Sequence, residues 1–178
     1  VYIGFGSMVS GDMGELAEII RQAVKLSGVR AVVALGWGQQ EAKTKDTNIF
    51  YVKSVPHDWL FPHMAGAVHH GGAGTTATSL RHALPTLVVP FGGDQPFWAE
   101  RVYAAGCGPK AIPRDKLTAE NLAEGLRALI SNPEYTRNAA CIGEALRNEH
   151  GCANAADLIE KAVWDWENGN PAQDGMNI

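Results

Sequence analysis

The feature that most constrains this chain is the alternation of two apolar patterns. Short β-rich runs at 1–5, 29–35, 48–52, 65–70 and 86–89 are separated by turn signals and helical spacing. Leu16, Ile19, Ile20, Ala23 and Val24 recur at helical intervals, with Asp12 as a cap before them and Gly28 as the stop. Apart from Arg30 the second run is apolar, the pattern of a strand covered on both faces of a parallel sheet. Further helices are expected at 58–64, 75–83 and 95–105, and a short sixth strand at 109–112. Three helices follow, at 118–131, 133–150 and 153–167, with Asn132 capping the second ahead of Pro133. Alternation at this spacing requires right-handed crossovers and a doubly wound parallel sheet. The expected fold is therefore α/β, Rossmann-like, with about six parallel strands and carboxy-terminal helices.

Composition narrows the function classes. Apolar residues make up 46% of the 178 and charged residues 19%, which excludes a disordered chain. Fifteen Lys and Arg against 19 Asp and Glu leave a net charge of −4, with no basic run for nucleic acid. Cys107, Cys141 and Cys152 are odd in number and widely spaced, so they read as reduced, buried thiols of a cytoplasmic protein. No apolar run approaches the ~20 residues that span a bilayer. Residue 1 is Val and opens directly into a strand, so the chain is expected to be a fragment lacking an upstream domain. Residues 1–167 are expected to form one domain and 168–178 a polar tail.

In open parallel sheets, ligands sit beyond the carboxyl ends of the strands, near a switch in strand order. The loops after the strands therefore carry the candidate chemistry. After the first strand comes Gly4-Phe5-Gly6-Ser7. Val9 stands where a dinucleotide fingerprint needs glycine. The segment is either a plain turn or a close backbone approach to a ligand, with Ser7 as hydroxyl donor.

The run His69-His70-Gly71-Gly72-Ala73-Gly74-Thr75-Thr76 closes the fourth strand and opens a helix. It lacks the lysine of a phosphate-binding P-loop, yet free N–H groups at a helix start form an anion site. Neighbours on a strand face opposite sides, so one histidine at most sees that loop. His70 is the candidate, and His69 is assigned a structural role. The third loop, Phe91-Gly92-Gly93-Asp94-Gln95-Pro96, offers Asp94 and Gln95 either as helix-start residues or as partners for sugar hydroxyls. Trp37, between Gly36 and Gly38, either packs or stacks on a base, and the Val55 backbone follows the third strand. Trp59, Trp98, Trp164 and Trp166 are expected to pack.

Together these segments resemble the carboxy-terminal, donor-binding domain of UDP-glycosyltransferases of the two-domain GT-B fold, and in particular the sterol 3-beta-glucosyltransferase group. The residues that carry the resemblance are Ile3 to Ser7, Gly36-Trp37, Ser54 to Pro62, Val68 to Thr76, Leu80 to Val102 and Cys107 to Pro109. The resemblance implies one half of a GT-B fold. It assigns His70, Gly72, Gly74, Thr75 and Ser7 to the donor diphosphate, Asp94 and Gln95 to the donor sugar, and the Val55 backbone to uracil. Plant relatives carry a stacking tryptophan where this chain has Ser54, which leaves Trp37 as the stacking candidate.

The reaction so implied is an inverting transfer of glucose from UDP-glucose to the hydroxyl of a sterol or similar small molecule. Its general base is a histidine of the amino-terminal acceptor domain, absent here, so no catalytic residue is assigned and the chain alone is expected to be inactive. No cofactor or metal is implied. The expected partners are the UDP-sugar donor and the absent domain, with self-association of the isolated chain through the uncovered face. The expected location is cytoplasmic, with peripheral membrane contact in the longer enzyme. A non-catalytic UDP-sugar-binding or regulatory module is the alternative, and a UDP-sugar epimerase lacks the carboxylates its chemistry needs.

Overall fold

The computed structural model describes residues 1–6, 13–34 and 46–169. The chain divides into two compact units, Val1–Leu146 and Arg147–Ile178. In the first unit five parallel strands form one sheet: β1 (Tyr2–Gly4), β2 (Ala31–Ala34), β3 (Ile49–Val52), β4 (Ala67–His69) and β5 (Thr86–Val88). Their order is β3-β2-β1-β4-β5, the doubly wound arrangement. The chain winds outward from β1 to β3, then crosses back to place β4 on the other side of β1. In register, Tyr2 lies opposite Ala67, Ile3 opposite Val68 and Gly4 opposite His69.

Period-two alternation sends side chains to two different cores. Ile3, Val33, Val68, Leu87 and Val89 point to one face, under α1 (Met13–Ser27) and α5 (Ala119–Ser131). These helices supply Leu16, Ile20, Val24, Leu122, Leu126 and Leu129, all buried. Thr118 fixes the start of α5 through a capping box with Asn121. On the other face Tyr2 and Ala67 pack with Leu60, Phe61 and Leu84, around α2 (His57–Leu60) and the following turn at Phe61–His63. Val88 on that face packs with Leu80 of α3 (Ala73–Arg81), Ala99 and Val102 of α4 (Gln95–Ala104), and Ala139 of α6 (Pro133–Asn148). The start of α6 is secured as expected, with Asn132 Oδ1 accepting from the Glu134 N–H at 3.1 Å.

The sequence expectation of a sixth strand at 109–112 is corrected: that segment is not a strand, and the described residues form a sheet of five. The segment still runs beside β5. Thr86 N–H donates to the Cys107 carbonyl, Ile112 N–H to Val88 and Arg114 N–H to Pro90. Pro90, just after β5, has no N–H to return to the Ile112 carbonyl, so the paired bonds of a regular parallel ladder do not form. Gly108 fits against β5 because any Cβ there would collide with the Thr86 carbonyl. Helix α3 stops two residues before the expected end, and Ala83 takes the left-handed conformation (φ 59°) to turn the chain into Leu84.

Two packing expectations are also corrected. Only Cys107 is buried, whereas Cys141 and Cys152 are exposed. Trp59, Trp164 and Trp166 are exposed as well, the last by 81%. The second unit contains α7 (Gly151–Glu167), which has no buried residue and presents Leu158, Ile159, Val163, Trp164 and Trp166 outward. No helix among the described residues is long and apolar enough to cross a membrane.

Leu126 is fully buried between α1 and the sheet. Leu126→Ala should lower unfolding free energy by about 2–5 kcal/mol, through lost transfer energy and the cavity left behind. Urea unfolding followed by circular dichroism checks this, and an unchanged midpoint would contradict the packing described.

Candidate functional site

The carboxyl ends of β1, β4 and β5 converge at the switch between β1 and β4. Each end turns sharply. Gly6 after β1 has φ 61°, Gly71 after β4 has φ 89° and Gly93 after β5 has φ 62°, a region that favours glycine. The three turns touch one another. A Cβ on Gly6 would lie 3.2 Å from His70 Cε1, and one on Gly72 would lie 2.6 Å from His70 Nε2. The imidazole of His70 thus sits between two glycines that leave it room. Gly71 is closed in by Val88 Cγ1 and the Gln95 carbonyl, at 2.6 and 3.2 Å from where its Cβ would be. Phe5 and Phe91 join the first and third turns through rings 5.4 Å apart.

The start of α3 is the electropositive part. Gly72 stands at its N-cap and supplies no side chain to satisfy the helix. The first N–H drawn into the helical ladder is that of Thr76, which donates to the Gly72 carbonyl at 2.9 Å. The N–H groups of Ala73, Gly74 and Thr75 precede it and have no helical partner. Ala73 and Gly74 are exposed, and nothing approaches the place where a Gly74 Cβ would be. Three donors at the positive end of a helix dipole form an anion cradle.

His70 is half-buried beside that cradle, with its Nδ1 buried and without a hydrogen-bond partner among the described residues. Burial lowers its pKa, and the nearby Asp94 carboxylate opposes that shift. The imidazole is therefore biased toward its neutral form. Asp94 itself is exposed, and its Oδ2 accepts from Trp98 Nε1 at 2.8 Å. The carboxylate does not cap α4; the indole one turn further along the helix orients it. Gln95 is buried, and its Oε1 accepts from Phe91 N–H at 2.7 Å and Gly92 N–H at 3.3 Å. Its carbonyl therefore holds the turn after β5.

His69 and His70 separate as strand geometry requires. His69 is fully buried on the α3 side of the sheet, and its Nδ1 accepts from the Gly71 N–H at 3.0 Å. Its Nε2 has no hydrogen-bond partner among the described residues. Burial, with smaller contributions from His70 and His57, pushes its pKa down to about 3.

Val55 lies after the edge strand β3 and packs with Tyr2, Leu60 and Phe61. His57, two residues on, meets the Tyr2 hydroxyl at 3.1 Å and stacks on Phe61, which ties this loop to β1. Ser7 and Trp37 fall outside the described residues. Among the sequence-predicted residues, His70, Gly72, Gly74, Thr75, Asp94 and Gln95 come together at one edge of the sheet. One contributor, Trp98, whose indole fixes Asp94, escaped the sequence reading; Gly6, expected as a turn or a close approach to a ligand, has no Cβ and so admits the His70 ring. The four-residue spacing from Asp94 to Trp98 on one helix was the available signal for Trp98. No group of three His, Cys, Asp or Glu among the described residues could hold a metal ion.

An open, doubly wound parallel sheet with an uncapped helix start at its switch point is an architecture that seats a ligand beyond the carboxyl ends of its strands, and the solved structures it matches are glycosyltransferases. The family described as "Erythromycin biosynthesis protein CIII-like, C-terminal domain" matches residues 18–159, and the chain belongs to it. It is 44% identical to a sterol 3-beta-glucosyltransferase of Arabidopsis thaliana over 163 residues, covering 90% of this chain and 26% of that protein. It is 42% identical to the sterol 3-beta-glucosyltransferase of Kluyveromyces lactis, over 89% of this chain and 14% of that protein. The chain thus spans about a quarter or less of these relatives. Among solved structures, glycosyltransferase VinC in complex with DTDP superposes with a TM-score of 0.68 at 27% identity, covering 83% of this chain and 37% of that one. Os79 from O. sativa, in complex with U2F and trichothecene, shares the fold with a TM-score of 0.77 at 17% identity, covering 91% and 40%.

His69 generates a pH prediction. Its folded pKa of about 3 lies below the ordinary 6.5, so the unfolded chain takes up the proton first as pH falls. The stability due to its neutral form is complete above about pH 6.5 and is lost progressively toward pH 3. His57 and His70, also lowered by burial, act in the same direction. The thermal midpoint should therefore fall between about pH 7.5 and pH 4.5, and less steeply in His69→Asn. Equal slopes in the two proteins would contradict a buried neutral His69.

Proposed function

We propose that this chain is the donor-binding half of an inverting glycosyltransferase that moves glucose from UDP-glucose to the hydroxyl of a sterol or similar lipid alcohol. The observation that carries the reading is the uncapped start of α3, with three N–H groups outside the helical ladder, set beside His70 at the switch point. Sequence identity to sterol glucosyltransferases supports the choice of sugar and acceptor class.

In this reading the donor diphosphate lies against Ala73, Gly74 and Thr75, with His70 at its side and the Ser7 hydroxyl as a further donor. The sugar hydroxyls meet Asp94 and Gln95, the two residues at the start of α4. The Val55 backbone meets uracil, and Trp37 stacks on it. The acceptor oxygen attacks the anomeric carbon as the bond from that carbon to the diphosphate breaks. UDP leaves with the electron pair, and the acceptor proton passes to a histidine of the amino-terminal half. Charge grows on the diphosphate as it departs, where the helix start and His70 stabilise it by fixed dipoles and hydrogen bonds. Those groups perform without a metal what a cation does at other nucleotide-sugar sites. Because the base belongs to the other half, this chain alone turns nothing over.

Calorimetric titration of UDP and UDP-glucose into the chain tests the proposal. Affinity should be the same in EDTA and in Mg²⁺, and His70→Ala should weaken it about tenfold or more. Asp94→Ala should remove the preference for UDP-glucose over UDP while leaving UDP binding intact. Binding that requires Mg²⁺, or that ignores His70→Ala, would overturn this placement of the diphosphate. A loss of sugar preference in Asp94→Ala favours the transferase over a binding module that reads only the nucleotide.

A further inference from the structure

The side chain of His69 lies beneath the cradle and takes no part in the chemistry just described. It is completely buried, yet one of its two ring nitrogens has no partner among the described residues. A side chain serving only to fill that volume would do so better as an apolar residue, because an unpaired buried N–H is unfavourable. The informative contact is the other nitrogen. Nδ1 accepts from the Gly71 N–H at 3.0 Å, two residues further on. A side-chain acceptor at one position and the backbone N–H two residues later form the pattern of an Asx turn, in which Asp or Asn folds the chain around its own side chain. Here an imidazole makes that turn.

The consequences run through the whole loop. Gly71 is held at φ 89° with Val88 and Gln95 pressed against it, so its N–H has one direction to point. On the strand side, the His69 carbonyl accepts from Val89 N–H at 2.9 Å, which locks His69 into the sheet. The residue is thus anchored by its backbone on β5 and grips the departing chain by its ring. What it grips is the segment that carries His70, Gly72 and the first N–H groups of α3.

We infer that His69 is a positioning residue for the donor site: as a neutral acceptor with its proton on Nε2, it closes an Asx-like turn onto Gly71 and sets the path of the anion-binding loop. The inference rests on the donor-site reading for its functional meaning. Its structural content stands on the tautomer and the hydrogen bond.

Two substitutions separate an acceptor from a space-filler. His69→Leu keeps buried bulk and removes the acceptor. His69→Asn loses bulk but restores an oxygen that can accept from the residue two further on. UDP affinity, measured by calorimetry, should fall about tenfold in His69→Leu and return to within about threefold of the parent in His69→Asn. Parental affinity in His69→Leu, or a larger loss in His69→Asn than in His69→Leu, would overturn the inference.

Readouts that need no nucleotide keep the two readings apart. In the unliganded parent chain, nitrogen NMR of His69 should show Nδ1 unprotonated, with scalar coupling to the Gly71 N–H. A proton on Nδ1 would overturn the inference even if His69→Leu failed to fold. Hydrogen exchange at Gly71 should quicken in His69→Leu and slow again in His69→Asn, and equal exchange in both would count against it. Absence of UDP binding in the parent, with this tautomer and coupling in place, would overturn the donor reading instead.

Discussion

The pairing of β1 with β4 is the constraint on which the rest depends. It brings together strands separated by more than sixty residues of chain and sets Gly4 opposite His69. With β2 and β3 already laid on the other edge of β1, the two directions of winding must part at this pair. The parting sends the helices that follow β1 and β4, α1 and α3, to opposite faces of the sheet. Everything assigned to the site is a consequence: α3 starts there, Gly6 meets His70 there, and the loop after β5 closes the far side through Gln95.

The chemistry of the site is mostly backbone chemistry. Charge comes from three N–H groups at a helix start, and the side chains mainly keep the backbone in place. His69 grips Gly71, Gln95 holds Phe91 and Gly92, and Trp98 holds Asp94. A single exposed helix dipole contributes only about 0.3–1 kcal/mol to an anion. An effective site therefore needs several such donors fixed in one direction, and the second layer of hydrogen bonds supplies that fixity.

Much of this was legible in the sequence. Apolar runs bounded by glycine gave the strands, and glycines clustered after them marked turns that only glycine makes without strain. His70 could be separated from His69 by strand geometry alone. Other features depended on information that is not local. The 109–112 segment runs beside β5, but Pro90 has no N–H to return to Ile112, so the segment follows β5 through isolated hydrogen bonds. Asp94 followed by a helix looks like a cap until the indole of Trp98 is seen to take its oxygen. Trp59, Trp164 and Trp166 have packing chemistry but lie exposed, because burial depends on what surrounds a helix and not on its composition.

The central claim is that the donor's diphosphate rests on the start of α3. Amide chemical-shift mapping during a titration with UDP tests it most directly. The largest perturbations should fall on residues 70–76, with lesser ones at Gly6 and Asp94. A second cleft, of about 550 Å³, lies at the amino-terminal edge of the sheet and is lined by Val1, Arg30, Asn48, Phe50 and His63. Perturbations centred there, with 70–76 unmoved, would contradict the account.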